Sequence, residues 1–452
     1  MRGKAILWLG SLLLIAFVAF SGFYGLGAVP LAAGLTLLTA YSTYLALAGA
    51  NRPGLLRPKE VPVPRLPASD LPFVSLIVPA KDEERVIEAT IRSLLQLDYY
   101  GPAGPHFEII AVDDGWTDAT YRILAGLAEG TDLLTVLHRP PGGGYGKSAV
   151  LNEALPLARG DLICVFDADA RVEADFLLRA VPRLLAPGVG AVQAQKRIFN
   201  TKGLASLDRL TWHEAQRPAF YLPLLQDVEM LMDTACQIAR GQAQGAVDLR
   251  GNGMLVKREA LLSVGGWNEH TLTDDLDLTT RLQAAGWHVA FCAEAVVWEE
   301  GVISWGALFR QRRRWIEGCI RRYLDYSGDL LRAPMPLAFR VDALVFAAEF
   351  VLPLWLFFGL AVWAVCGVLG IPYDPAVSYA IALGNVAVML PFVLVVVWRQ
   401  VPSRPLSYLV VVLAVSAYLV NWLPVIVWTD LRLAALRPQR EWSKTEHVGE
   451  TV

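Results

Sequence analysis

Charged residues are scarce in this chain of 452 residues. Asp, Glu, Lys and Arg make up 18% of it and 54% is hydrophobic, whereas soluble proteins typically carry about 25% charged residues. Residues 5–50 contain no Asp, Glu, Lys, Arg or His. That run is long enough for two membrane-spanning helices of about 20 residues, with a turn in 21–30. A signal peptide, with its core of about 7–15 apolar residues, is too short to explain it.

Cysteine pairs and clustered histidines are also lacking. The five cysteines include no CxxC pair and the six histidines show no HExxH spacing. This favours reduced thiols and disfavours both a disulfide framework and a zinc site. The net charge of −3 is too small to indicate a nucleic acid partner.

The remaining apolar runs lie near the C-terminus, at 350–373, 375–398 and 405–429. The chain is thus predicted to divide into two transmembrane helices (1–50), a Pro/Arg-rich linker (51–71), a polar domain (72–302), an amphipathic interfacial region (303–335), about three transmembrane helices (336–430) and a polar tail (431–452). Arginines and a lysine directly after the second span predict a cytoplasmic polar domain. Three C-terminal spans would put the basic tail on the side of the membrane opposite to the polar domain. Either one of these segments is re-entrant or interfacial, or the rule that basic segments stay in the cytoplasm fails here.

Within the polar domain, short apolar runs alternate with stretches of helical spacing. Strands are predicted at 73–80, 107–115, 133–139 and 161–169, and helices at 81–97, 117–129 and 147–158. This alternation predicts an α/β domain with a mostly parallel sheet wrapped by helices. Ligands of such sheets bind at the carboxyl ends of the strands.

Acidic pairs stand at two of those strand ends, Asp113 with Asp114 and Asp167 with Asp169. Carboxylates gathered at one edge repel each other unless a cation or a hydrogen-bonding ligand joins them. An Asp-x-Asp pattern alone is common in surface turns. Its place after an apolar strand favours a metal site.

A glycine-rich stretch, "PGGGYGKS" at 141–148, resembles the phosphate-binding loop of an ATPase. It ends in Gly-Lys-Ser, but Pro141 stands where GxxxxGK[ST] has its first glycine, and the loop follows the third strand. An ATPase is therefore disfavoured. Two interpretations stay open: a flexible turn before the next helix, or a lysine, Lys147, that faces a diphosphate of another kind.

The order of these motifs, continued by "TLTDDLDL" (271–278) and "QRRRW" (311–315), resembles the inverting family-2 glycosyltransferases of GT-A type. The resemblance extends to their membrane-bound QxxRW branch, which includes cellulose, hyaluronan and poly-N-acetylglucosamine synthases and glucosyl-lipid synthases. Segments such as "FDADARV", "RGNGMLVKREAL" and "GGWNEHTLTDDLDLTTRL" look most like β-monoglucosyldiacylglycerol synthases. The resemblance covers about residues 73–330. It departs from the family at Asp82, where Asn is usual, and at Trp116, where a small residue is usual.

The resemblance implies a GT-A domain inserted between transmembrane helices, and it assigns donor-binding roles. Asp169, with Asp167, would hold Mg²⁺ or Mn²⁺ against the diphosphate of a UDP-sugar. Asp113 and Asp114 would share the uracil and ribose contacts, in an order that the sequence leaves open.

The two later motifs imply the catalytic and acceptor residues. Asp275, paired with Asp274, would be the general base that takes the acceptor proton, although Thr273 followed by acids is also an ordinary helix start. From "QRRRW", Gln311 and Arg314 would face the diphosphate, and Trp315 would offer a flat surface to the acceptor. The amphipathic pattern of the same helix also predicts a helix that lies on the membrane surface. Five arginines are predicted on its exposed face: Arg310, Arg312, Arg313, Arg321 and Arg322.

These features predict an integral protein of the bacterial inner membrane with a cytoplasmic catalytic domain. The predicted reaction is transfer of glucose from UDP-glucose to diacylglycerol with inversion. A processive synthase that extrudes a β-glycan made from a UDP-sugar is the alternative. Membrane lipids are predicted partners in either case.

Overall fold

The computed structural model describes residues 66–115, 117–140, 146–201, 218–376 and 405–435, with the shorter pieces 40–41, 43–44, 47–49, 390, 393–394, 396–397 and 449. Several predictions lie outside these residues. They concern the first span, most of the second span, most of the linker, Trp116, the glycine stretch 141–145, most of the span at 375–398 and most of the tail.

The described residues form ten strands: β1 Val74–Ala80, β2 Tyr100–Gly101, β3 Gly104–Pro105, β4 Phe107–Asp113, β5 Leu134–His138, β6 Leu162–Val165, β7 Arg171–Val172, β8 Val189–Ile198, β9 Met254–Lys257 and β10 His288–Glu299. The α-helices in the same residues are α1 Ile87–Leu95, α2 Thr120–Ala128, α3 Lys147–Ala154, α4 Phe176–Leu184, α5 Pro218–Gln242, α6 Arg258–Ser263, α7 Asp274–Ala284, α8 Trp305–Arg332, α9 Leu337–Leu369, α10 Pro405–Leu419 and α11 Trp422–Ala435. A short 3₁₀-helix, Ala68–Asp70, precedes β1.

Eight of the strands form one sheet in the order β5–β4–β1–β6–β9–β8–β10–β7, and β2 and β3 form a separate hairpin. The pairings of β5, β4, β1 and β6 are parallel, as is that of β8 with β10. Strand β9 runs antiparallel to both its neighbours, and β7 runs antiparallel to β10. The predicted α/β domain with a mostly parallel sheet is confirmed.

Helices cover both faces of this sheet. On β1, Leu76 and Val78 face a core that also contains residues of α1, α2 and α4. The intervening Ile77 faces a second core built from α3, α6 and α7. Because both faces of β1 are buried, its sequence is a nearly continuous apolar run and does not alternate between apolar and polar residues.

The chain between β1 and α1 differs from its prediction. The helix predicted from residue 81 begins only at Ile87, because Asp82 has φ +54°, a left-handed conformation that Asp tolerates better than most residues. The Asp82 carboxylate accepts a hydrogen bond from the Thr117 hydroxyl. A Cβ on Gly115 would lie 3.0 Å from Asp82 Oδ1. The loops after β1 and β4 therefore pack closely beside Asp113 and Asp114.

Helix α8 carries the "QRRRW" motif. Its first turn is capped by Ser304, whose Oγ accepts a hydrogen bond of 3.2 Å from the Ala307 amide. Along its length α8 packs against α7 and α11. The helix thus lies between the catalytic domain and the C-terminal apolar helices.

In the part of the chain that the structure describes, one stretch, Leu409–Ala435, is long and apolar enough to cross a membrane, with mean hydropathy 2.3. Pro353–Leu369 is a shorter apolar helical segment. These overlap the third and first of the predicted C-terminal runs. All of the predicted spans, including these two, stay predictions.

Candidate active site

The first acidic pair lies at the carboxyl end of β4. Asp113 is almost completely buried, and its Oδ2 lies 2.7 Å from His138 Nδ1 at the end of neighbouring β5. Burial raises the pKa of the Asp113 carboxyl, and the contact with His138 opposes that rise. Asp114 pairs with Arg139, which is itself held by Glu153 at 2.8 Å. Burial likewise raises the pKa of Asp114, against the effect of Arg139. Asp114 is the more accessible of the two acids.

The second acidic pair follows β6, two strands away at the same sheet edge. Asp167 Oδ1 lies 2.5 Å from Lys147 Nζ, and its backbone amide donates to Asn252 Oδ1 at 3.1 Å. Asp169 is buried, and its Oδ2 accepts a hydrogen bond of 2.8 Å from the amide of Glu300. Both carboxylates are therefore fixed by the fold before any ligand arrives.

Lys147 opens α3 and joins the Asp-x-Asp motif to the next one. Besides Asp167, its Nζ contacts the Gly251 carbonyl at 3.3 Å and lies 3.8 Å from Asp274 Oδ2. Burial alone lowers the pKa of Lys147, but the carboxylates of Asp167 and Asp274 outweigh burial, so the pKa is raised and the side chain stays cationic.

The start of α7 presents Asp274 and Asp275 to this lysine. Gly251 has φ +83°, and a Cβ there would lie 3.3 Å from Asp275 Oδ2, so the loop approaches the carboxylate closely. Burial and the adjacent Asp274 carboxylate raise the pKa of Asp275 to about 6, although the Leu276 amide donates to it at 2.9 Å. Burial also raises the pKa of Asp274, against the effect of Lys147. A carboxyl with this pKa is largely ionised near neutral pH, as a general base must be.

Thr273 occupies the N-cap position of α7, as the sequence indicates, but its side chain makes no capping hydrogen bond among the described residues. It packs against Gly318 of α8 instead. A Cβ on Gly318 would lie only 2.2 Å from Thr273 Oγ1. The missing side chain at residue 318 therefore allows α8 to approach the catalytic acids.

Helix α8 brings Arg314 to the same group. Burial lowers the pKa of Arg314, and Asp167, Asp275 and Asp274 oppose that change electrostatically. Gln311 lies one turn earlier, with a buried Oε1 that has no hydrogen-bond partner in the described parts of the chain. Lys147, three acids and Arg314 thus come together from four separate stretches of sequence.

Trp315 follows Arg314 and is bordered by two cations. The Arg312 guanidinium carbon lies 4.2 Å from its ring centroid, and Lys196 Nζ lies 5.7 Å from it. Lys196 also contacts Glu299 Oε2 at 2.9 Å. The sequence reasoning missed Lys196 and Glu299, together with His138 and Arg139. For the last two a signal existed, since they end a predicted strand beside β4.

The predicted arginine surface of α8 is wrong at two positions. Arg312 is completely buried and Arg322 is nearly so. Arg322 pairs with the buried Asp248 at 2.8 Å. An amphipathic pattern cannot reveal these exceptions, because each arginine turns inward toward an acid that is distant in sequence.

The donor set at the Asp-x-Asp motif fits a divalent cation bound together with phosphate. No group of three or more His, Cys, Asp or Glu side chains able to hold a metal occurs within the described ranges. Magnesium commonly binds through one or two carboxylates plus substrate phosphates. Asp167 and Asp169 could supply those carboxylates, and Asp167 already pairs with the cationic Lys147.

The glycosyltransferase-like family 2 model matches residues 72–318, more than half of the chain. The chain belongs to this family. Over 388 residues it is 37% identical to the β-monoglucosyldiacylglycerol synthase of Trichormus variabilis, covering 84% of this chain and 77% of the relative. A synthase of the same name from Synechocystis is 36% identical over 404 residues, covering 85% and 77%.

A solved structure has the same fold. A mannosyltransferase from Pyrobaculum calidifontis, in complex with GDP-Man and Mn²⁺, matches with a TM-score of 0.50 and 21% identity, over 88% of this chain and 96% of that one. The polar domain is accordingly a GT-A-like α/β domain, as predicted. With the family match, this makes the chain a nucleotide-sugar-dependent transferase.

Proposed function

We propose that this family-2 glycosyltransferase moves glucose from UDP-glucose to diacylglycerol at the cytoplasmic face of the bacterial inner membrane. The main support within the molecule is the grouping of Lys147, Asp167, Asp275 and Arg314 beside a helix that leads into the apolar C-terminal helices. The glucose and diacylglycerol specificities are supported by the two synthases named above. Their sequences are 37% and 36% identical to this chain over 84% and 85% of its length.

The donor would lie along the carboxyl edge of the sheet. Asp113 and Asp114 would share the uracil and ribose contacts, and the accessible Asp114 is the better placed to meet a ligand directly. Lys147 and Arg314 both lie near Asp167, Asp274 and Asp275, beside the proposed position of the diphosphate. Their positive charges would therefore neutralise the negative charge of the leaving group. The buried Gln311 Oε1, which has no hydrogen-bond partner among the described residues, would accept a hydrogen bond from the nucleotide sugar.

Asp169 and Asp167 would hold Mg²⁺ or Mn²⁺ together with the diphosphate. Bound there, the ion would offset the negative charge that develops on departing UDP. Lys147 would then leave Asp167 and turn toward the phosphates. Asp169, fixed by the Glu300 amide, would keep its position throughout.

Asp275 would take the proton from the acceptor hydroxyl as the oxygen attacks the anomeric carbon. The bond between that carbon and the diphosphate oxygen breaks in the same displacement, and UDP leaves toward Arg314. A single displacement inverts the anomeric centre, so an α-linked donor gives a β-linked product. Asp274 would assist by keeping the pKa of Asp275 high.

The acceptor would reach the site from the lipid boundary beside Trp315. We retain the predicted division into terminal membrane helices, linker, catalytic domain at 72–302 and interfacial region at 303–335. The apolar stretch Leu409–Ala435 and the contact of α8 with α11 support anchoring on this side of the domain. Membrane lipids would therefore surround the acceptor entrance.

Incubating the purified chain with radiolabelled UDP-glucose, Mn²⁺ and vesicles that contain diacylglycerol tests this function. We expect label in a chloroform-soluble glycolipid. Label in a water-soluble, ethanol-precipitable product would indicate the processive β-glycan synthase instead. No transfer to either fraction would contradict the proposal.

A further inference from the structure

The first arginine of the "QRRRW" motif, Arg312, lies in a buried polar cluster outside the donor site. Arg312 Nη2 contacts Glu229 Oε2 of α5 at 2.5 Å and the Tyr418 hydroxyl at 3.2 Å. Glu229 accepts two further hydrogen bonds, from Tyr418 at 2.6 Å and from Trp422 Nε1 at 2.9 Å. One carboxylate thus joins α5, α8, α10 and α11.

The same guanidinium is flanked by aromatic rings. Its carbon lies 4.2 Å from the centroid of Trp315 and 5.0 Å from that of Trp422. Nε and Nη1 of Arg312 are buried and have no hydrogen-bond partner among the described residues, so the ring contacts are the interactions available to that part of the side chain. A desolvated cation near an aromatic face interacts more strongly than an exposed one.

We propose that Arg312 is a positioning residue for the acceptor site: anchored by Glu229, it fixes the Trp315 ring and ties it to the C-terminal apolar helices. This inference rests on the proposed acceptor role of Trp315. Through Tyr418 of α10 and Trp422 of α11, the C-terminal apolar helices would then help to fix the shape of the acceptor entrance. The donor groups Lys147, Asp167 and Arg314 make none of these contacts.

A plain ion-pair role would be satisfied by any cation that reaches Glu229. Lys retains the charge but has no planar guanidinium to lie against the two rings. Arg312→Lys therefore separates ring positioning from charge neutralisation. Removing the charge alone would leave the largely buried Glu229 carboxylate without its cationic partner, which is destabilising. Arg312→Met is accordingly combined with Glu229→Gln, so that neither charge remains.

The experiment measures steady-state transfer against diacylglycerol concentration in mixed vesicles, together with UDP binding by calorimetry with Mn²⁺. We expect Arg312→Lys and the double variant to raise the KM for diacylglycerol about tenfold, the scale of one lost cation–π contact. UDP affinity should stay within about twofold of wild type. Arg92→Lys is the control, because Arg92 makes an exposed ion pair with Glu88 far from this cluster.

An unchanged KM for diacylglycerol in both folded variants would overturn the inference, as would a parallel loss of UDP affinity, which indicates general disruption. If Arg312→Lys kept wild-type kinetics while the double variant lost them, Arg312 would be an ion-pair partner only, and the inference would be wrong. A wild-type chain that forms no glucolipid would instead contradict the proposed function itself.

Discussion

At the residue scale, the chemistry depends on Asp275 being a usable base. A carboxylate at a helix N-terminus ordinarily has a lowered pKa, because the helix dipole favours the charged form. Here burial and Asp274 act in the opposite direction and raise the pKa of Asp275 to about 6. We expect Asp275→Asn to lower turnover by about 10²–10⁴-fold, the usual contribution of a general base. UDP affinity, measured by calorimetry with Mn²⁺, should be kept; near-normal turnover would contradict the assignment.

The pH dependence of the reaction follows from the same carboxyl. Asp275 must be deprotonated to accept a proton, so kcat/KM should fall as the pH drops below about 6. Asp274→Asn removes a neighbouring negative charge that raises this pKa, and the acidic limb should therefore move to lower pH. A pH–rate profile of both proteins checks this. A limb that stays in place or moves upward would show that another group controls it.

The proposed metal site can be tested at Asp169. We expect Asp169→Ala to reduce UDP affinity in Mn²⁺ to the level that wild type shows with a chelator, because the anchored carboxylate is lost. The control is Asp175→Ala, since that acid pairs with Arg179 at the start of α4, away from the motif. Calorimetric titration with UDP gives both values. Metal-stimulated binding that persists in Asp169→Ala would rule out this residue as a ligand.

Individual site residues could be predicted where they stand at the carboxyl end of a predicted strand. Asp113, Asp114, Asp167 and Asp169 follow apolar runs, and parallel strands deliver their carboxyl ends to one edge. Lys196 and Glu299 carry no such mark, because they lie on strands β8 and β10, which the sequence reasoning did not identify. Arg312 was misplaced on the surface, since its partner Glu229 lies 83 positions away in sequence.

At the scale of elements, the junction between α7 and α8 holds the base close to Arg314. Gly318 permits it, because any Cβ at that position would overlap Thr273. We expect Gly318→Ala to push the helices apart and lower turnover by about 100-fold, the cost that a 1 Å misplacement can have. Overpacking should also cost about 1–3 kcal/mol of unfolding free energy. Turnover and thermal unfolding measure the two effects.

Gly328→Ala is the matched control on the same helix. A Cβ at Gly328 meets its nearest neighbour, the Arg332 guanidinium, at 4.0 Å, so it fits without strain. Replacing an exposed helical glycine by alanine should stabilise α8 by up to about 1 kcal/mol. Turnover should be unchanged. Equal losses in the two variants would show that the tight contact with Thr273 is not what matters.

The elements themselves were predicted with uneven success. The four predicted strands are confirmed at β1, β4, β5 and β6. In β1, β4 and β6, burial on both faces leaves unbroken apolar runs. The start of α1 was wrong, since one left-handed residue, Asp82, delays the helix. The antiparallel strand β9 depends on long-range pairing with β6 and β8. Local periodicity does not contain that information.

At the scale of the whole molecule, α8 packs against both the catalytic domain and the C-terminal apolar helices. Its inner side carries Arg314 toward the acids, and its other contacts reach α11. A lipid acceptor lying in the membrane would then meet the donor from the face opposite to the leaving diphosphate. The proposed function requires a single displacement with Asp275 as base.

The anomeric configuration of the glucolipid tests that requirement most directly. The product made from UDP-α-glucose and diacylglycerol is to be isolated and its anomeric proton coupling read by nuclear magnetic resonance. A single displacement predicts a β-glucoside. An α-glucoside would contradict it, because retention requires a second displacement or attack from the leaving-group face.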